Sequence, residues 1–190
     1  MSKQYGFYFD ADRCINCHTC ELACKAVNNL ELYVSWRKVI EIWRGEFPEV
    51  TRTFISMSCL HCEEPSCEQA CPNGAIKKRS EDGIVVVDKE ECNGCGECYY
   101  ACPYQVPQFG SDGLMQKCDY CLGSGGIPAC VEPCPADALF YGTMEELSAR
   151  SNAKKAEKFP GITGPSMYIA DKSGIITSVE NLIIGKTKNA

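Results

Sequence analysis

Sixteen cysteines stand in this 190-residue chain, and their spacing decides what chemistry they can do. Cys14, Cys17, Cys20 and Cys24 form one run of C-x2-C-x2-C-x3-C, and Cys92, Cys95, Cys98 and Cys102 form another. Cys59, Cys62, Cys67 and Cys71 widen the middle gap to four residues, and Cys118, Cys121, Cys130 and Cys134 widen it to eight. Both keep the C-x2-C opening and the C-x3-C close. Three thiolates on one tight loop can cap three corners of an iron–sulfide cube, and the fourth corner takes a cysteine from farther along the sequence. The expectation is four [4Fe–4S] clusters, every cysteine a ligand, and no iron left open to substrate. Such a chain exchanges electrons and makes no bonds itself, so no catalytic residue is assigned.

Pro72, Pro103 and Pro135 directly follow the last cysteine of groups two, three and four, whereas Lys25 takes that place in group one. Proline fixes φ and ends local helix, turning the last thiolate toward a different cluster from its three neighbours. The groups therefore work in pairs, as in two-cluster ferredoxins. An internal repeat agrees: Phe7-Tyr8-Phe9-Asp10 leads into Cys14 as Val85-Val86-Val87-Asp88 leads into Cys92, and Asn73-Gly74-Ala75-Ile76 echoes Ala136-Asp137-Ala138-Leu139. Structural zinc also uses C-x2-C, but one tetrahedral site normally takes two separated pairs, which leaves a third cysteine superfluous. Disulfides suit smaller secreted scaffolds. A radical enzyme using S-adenosylmethionine needs C-x3-C-x2-C, and no three cysteines here have that order.

The elements that must position these ligands are short. The fold class expected is α+β, loop-rich, with two ferredoxin-like units in one compact four-cluster subunit. The hydrophobic fraction of 45% includes the cysteines, so the aliphatic and aromatic core is thin. Cluster insertion should therefore be coupled to folding. Met167 to Ala170, then Asp171 to Gly174, then Ile175-Ile176 read as strand, turn and strand, with a closing strand of the fold preferred over a docking strand.

A net charge of −6 argues against nucleic acid as a partner. The basic runs Lys77-Lys78-Arg79 and Arg150 to Lys158 read as solvated surface. Met1 to Tyr8 carries no secretory or twin-arginine signal, and no run approaches the ~18 apolar residues of a membrane helix. The expectation is a cytoplasmic chain, or one exported or held at a membrane only through a partner. His18 and His61 read as exposed loop residues, with tuning or proton relay the alternative. Tyr99, Tyr100 and Tyr104 read as packing that shields a cluster, and Trp36 as core.

Several segments carry a resemblance: Cys14-Ile-Asn-Cys-His-Thr-Cys-Glu-Leu-Ala-Cys24-Lys25, Val34-Ser35-Trp36-Arg37-Lys38-Val39, Cys62-Glu-Glu-Pro-Ser-Cys67, Asp82 to Asp88, Cys98-Tyr-Tyr-Ala-Cys-Pro-Tyr104, Lys117-Cys118-Asp119 and Cys130-Val-Glu-Pro-Cys-Pro135. Over roughly residues 5 to 145 the sequence resembles the iron–sulfur subunits of the dimethyl sulfoxide reductase family, in which a lysine after the first group is usual. The resemblance implies a molybdenum or tungsten bis-pterin catalytic subunit as partner, with a membrane anchor exchanging electrons with quinone in some members. It implies that groups one and four form one cluster pair and groups two and three another. Cys14, Cys17, Cys20 and Cys134 would hold one cluster; Cys24, Cys118, Cys121 and Cys130 its neighbour; Cys59, Cys62, Cys67 and Cys102 the third; and Cys71, Cys92, Cys95 and Cys98 the fourth. The units implied are 1–50 plus 110–145, an inserted 51–109, and a C-terminal extension 146–190. Leu182-Ile183-Ile184 is too short to span a bilayer, which sets the chain apart from formate dehydrogenase subunits that carry their own helix. A free-standing polyferredoxin serving several redox partners is the other function these ligands allow.

Overall fold

The structure is a computed structural model, and it describes residues 3–154 and 156–176. Its first strand, β1 (Tyr5–Asp10), is buried along nearly its whole length because both faces are covered. Successive side chains of a strand point to opposite faces. Phe7 and Phe9 thus enter the main core with Ile55, Met57 and Leu60, while Tyr8 packs on the other side with Leu147.

Helix α1 (Thr19–Val27) follows, with Glu21 in its first turn and Lys25 in its last, each complementing the helix dipole. The lysine that replaces the expected proline lets α1 run three residues past Cys24. Its Nζ donates to the carbonyls of Glu31, Leu32 and Val34 at 3.0, 2.6 and 2.7 Å, pinning the loop beyond the helix. A hairpin of β2 (Lys38–Arg44) and β3 (Thr51–Met57) then forms an antiparallel pair of seven residues a side.

The middle of the sequence holds α2 (Ser66–Gln69), β4 (Ile76–Lys78), β5 (Val85–Val87), α3 (Glu97–Ala101), β6 (Gln108–Phe109) and β7 (Met115–Gln116). Both α2 and α3 stop before a Cys-Pro step, as proline demands. The C-terminal part supplies β8 (Leu139–Thr143), α4 (Met144–Lys154), β9 (Glu157–Lys158) and β10 (Met167–Ala170). These build a four-stranded sheet in the order β8-β1-β10-β9, with β1 antiparallel to β8 and parallel to β10. Met167–Ala170 is therefore a closing strand, as expected.

Ile175 and Ile176 differ from the strand expected of them. Asp171 accepts from Ser173 N at 3.0 Å and Ile176 N at 2.8 Å, so its carboxylate turns the backbone in and the two isoleucines enter the core without a ladder. Leu182 to Ile184 lies outside the described residues. Among the described residues no helix is long and apolar enough to cross a membrane.

The sequence repeat reappears as a repeat of hydrogen bonds. Strand β1 leads into group one and pairs with β8, which leaves group four; β5 leads into group three and pairs with β4, which leaves group two. Phe9 faces Leu139 and Val87 faces Ile76, and then Asp10 N donates to Ala138 O and Asp88 N to Ala75 O, each at 2.8 Å. After the C-P steps, Asp137 N donates to Cys134 O at 3.1 Å and Gly74 N to Cys71 O at 3.2 Å, with φ of 44° and 63°.

Candidate metal centres

Two cavities are each ringed by four cysteines. One, with about 360 Å³ of empty space including its open mouth, is lined by Cys14, Cys17, Cys20 and Cys134 together with Phe9, Val39 and Leu139. The other, about 310 Å³ by the same measure, is lined by Cys71, Cys92, Cys95 and Cys98 with Ile76, Phe109 and Met115. In each case three thiols come from one tight loop and the fourth from a distant group.

The loops that do this share a conformation. Asn16 and His18 take left-handed φ of 57° and 58°, and Gly94 and Gly96, at the matching places, take 71° and 84°. Glycine and asparagine tolerate that region well. His18 holds its strained φ at the start of α1, with Nδ1 3.3 Å from Glu21 Oε2.

Helix α1 presents Cys20 and Cys24 one turn apart, so it links the first cavity to a second gathering of thiols. There the Asn28 amide donates to Cys24 Sγ at 3.8 Å and to Cys121 Sγ at 3.9 Å. Burial pushes the Cys24 thiol up to about 12, the nearby Arg37 guanidinium opposes this, and the Cys130 and Cys121 charges add to it. Cys118 is shifted up likewise by burial, with Arg37 again opposing and Cys130 and Cys24 reinforcing. All four of these cysteines are buried.

A fourth gathering forms around β3 and α2. Burial raises Cys67 to about 12, with Cys59 adding to it, the Lys117 charge opposing, and Cys102 and Cys62 also adding. Cys62 rises to about 11 through burial, against a hydrogen bond from Thr163 Oγ1 at 3.1 Å, and with Cys59 and Cys102 adding.

Thiols raised this far stay protonated at neutral pH unless a cation replaces the proton. Four thiols on the wall of each cavity, with apolar side chains making up much of the rest, fit an iron–sulfur cluster. Every cysteine is free of disulfides. Among the described residues no group of three or more His, Cys, Asp or Glu side chains is arranged to hold a single metal ion, and eight of the thiols ring the two cavities.

Some expectations need correction. His61 is fully buried, not an exposed loop residue: Val85 N–H donates to its Nδ1 at 2.9 Å and the Tyr120 ring lies 3.8 Å away, centroid to centroid. Leu60 and His61 are drawn inward because Ser166 donates to both their carbonyls, from N at 2.9 Å and from Oγ at 3.0 Å. Burial holds the His61 imidazole well below its usual range, and the Lys117 and Lys78 charges push the same way. Of the three tyrosines, Tyr104 is buried beside Phe159, whereas Tyr100 is 80% exposed and packs edge-on against Tyr99. Lys78 departs from a purely solvated run by donating to Gln4 Oε1 and Cys62 O, each at 2.7 Å. Trp36 is partly buried against the core, its indole N–H donating to Gln116 Oε1 at 3.1 Å.

Arg37, Lys117 and Tyr120, all buried, have no signal in the spacing of the cysteines. Lys117 Nζ donates to the carbonyls of Val85 and Cys118. It stands where the strand leading into group three meets the start of group four.

Comparison with known proteins adds the family context. Residues 50–144 match the family described as 4Fe-4S dicluster domain, and residues 5–26 match the one described as 4Fe-4S binding domain. The sequence is 46% identical over 159 residues to the B subunit of the anaerobic dimethyl sulfoxide reductase of Escherichia coli K12, covering 77% of each. Its identity to the corresponding Haemophilus influenzae subunit is 41% over 161 residues, 78% of each. The formate dehydrogenase iron-sulfur subunit of Wolinella succinogenes is 36% identical over 168 residues, which are 75% of this chain and 82% of that one.

Proposed function

Since the protein belongs to the family of iron–sulfur electron-transfer subunits that includes the B subunit of anaerobic dimethyl sulfoxide reductase, we propose that it relays single electrons through four [4Fe–4S] clusters. The exchange is with a molybdenum or tungsten bis-pterin catalytic subunit. Bound clusters supply one-electron exchange without bond making. The chain's own part is to hold each cluster, exclude water and present the outer two to partners.

The reading assigns Cys14, Cys17, Cys20 and Cys134 to one cluster and Cys24, Cys118, Cys121 and Cys130 to its neighbour. It assigns Cys59, Cys62, Cys67 and Cys102 to the third and Cys71, Cys92, Cys95 and Cys98 to the fourth. Residues 1–50 with 110–145 make one ferredoxin-like unit, 51–109 the inserted second, and 146–190 an extension. The observation that carries the assignment is the pair of four-thiol cavities, which join Cys134 to group one and Cys71 to group three. The doubled hydrogen bonds of Asp10 and Asp88 support the same pairing.

Exposure supports an order along the relay. Cys17 and Cys95 are the two exposed cysteines and fall in the first and fourth sets, whereas the second set is wholly buried. Electrons enter and leave at the two ends, one end against the catalytic subunit and the other against a further partner such as a quinone-linked membrane anchor.

The test is co-expression of the tagged chain with a molybdenum or tungsten bis-pterin catalytic subunit. Stable co-purification, and turnover with an external electron donor that requires the loaded chain, are expected. A loaded chain that purifies alone and reduces several unrelated acceptors equally well would support the free polyferredoxin instead.

A further inference from the structure

Arg37 is 2% exposed, and among the described residues it forms no ion pair with a carboxylate. Its Nη1 donates to Ser56 O at 3.1 Å and Ser56 Oγ at 3.0 Å, and its Nη2 to Ser58 Oγ at 3.0 Å. The guanidinium carbon lies 4.3 Å above the Phe7 ring, and among the described residues Nε has no hydrogen-bond partner. A buried cation is strongly disfavoured without a counter-charge. Ser56 Oγ, which Arg37 holds, lies 3.4 Å from Cys20 Sγ. The thiols of Cys130, Cys118, Cys20 and Cys24 are the charges that act most strongly on Arg37. Three of these belong to the wholly buried set and one to the set at the cavity of Cys14.

We propose that Arg37 is a tuning residue: a fixed cation shared by the cluster of Cys14, Cys17, Cys20 and Cys134 and that of Cys24, Cys118, Cys121 and Cys130, raising the reduction potential of both. The inference rests on the ligand sets proposed above. Guanidinium stays protonated at any working pH, so its charge is constant. Gain of one electron from the redox partner adds one negative charge at a site, and a cation held nearby in a poorly solvated interior favours that gain. The strongest charges acting on Arg37 all come from these two sets, so the effect falls mainly on one pair.

The test is a potentiometric titration, followed by electron paramagnetic resonance, of the full chain in its native complex. Arg37→Met should shift two of the four midpoint potentials downward and leave the other two in place, and Arg37→Lys should restore most of the shift. The two moved signals should be those lost in Cys20→Ser and Cys118→Ser. Four unmoved potentials in a fully loaded Arg37→Met variant, or an equal shift of all four, would overturn the proposal. If Arg37→Met does not load iron, Arg37→Lys must still load with near wild-type potentials; failure of both variants means that shape, not charge, is what Arg37 supplies. Iron content and the number of signals in the unmodified protein report separately on the ligand sets.

Discussion

Cys134→Ser is expected to abolish the same spectroscopic signal as Cys14→Ser and to spare the one lost in Cys130→Ser, although Cys130 and Cys134 are four residues apart. The reason is the C-x3-C step followed by Pro135. Cys134 lines the cavity of Cys14, Cys17 and Cys20, and its backbone carbonyl takes the turn bond from Asp137 that sends β8 back along β1. Cys130, by contrast, is buried and acts with Cys118 and Cys24. The same pattern holds in the other half: Cys71→Ser should act with Cys92→Ser and not with its own neighbour Cys67→Ser. Each variant should lose one of the four signals and about a quarter of the iron, read by electron paramagnetic resonance and iron analysis. If signals were lost by sequence neighbourhood, with Cys130 and Cys134 acting alike, the crossed pairing would be wrong.

The second large effect concerns the apo protein. Without iron it should show no cooperative unfolding transition, and in the loaded protein cluster absorbance and folded structure should disappear together on heating. Cys59, Cys102, Cys118 and Cys130 are members of the main core, packed among Phe7, Ile55, Met57 and Tyr104. Around β5 and α3 the core is smaller still, with Ile76, Val85 and Met115 gathered about Cys98. So little apolar surface cannot offset the conformational entropy of the loops that carry the ligands. The coupling depends on pH, because loading must displace protons from thiols that are protonated at neutral pH even in an unfolded chain and that burial in the fold raises further, as at Cys24 and Cys67. Acidification therefore favours loss of iron. Calorimetry of the iron-free protein is the check; a sharp cooperative transition would show that the fold stands without its clusters.

The cysteine groups, and the strands that lead into them, are legible in the sequence because both are local. Cysteine spacing, the C-P steps and the apolar runs before Asp10 and Asp88 lie within a few residues of what they control. The β2–β3 hairpin is harder to see, since β2 buries only Ile42 of its seven residues and so lacks a clear two-residue alternation. Arg37, His61 and Lys117 are beyond local reading for another reason. Each is buried by partners far away in the sequence: Arg37 by Ser56 and Ser58, His61 by Val85 and Ser166, and Lys117 by Val85. Charge and polarity mark such side chains as surface until the topology encloses them. Lys25 is the instructive middle case, a residue noticed for breaking the proline pattern whose role depends on a loop six to nine residues downstream.

The most direct measurement of the central claim is the iron and acid-labile sulfide content of the anaerobically purified protein. Four [4Fe–4S] clusters predict about sixteen of each per chain, with no stoichiometric zinc. About eight iron would mean that only one of the two pairs is built, and about four zinc with no iron would contradict the account altogether.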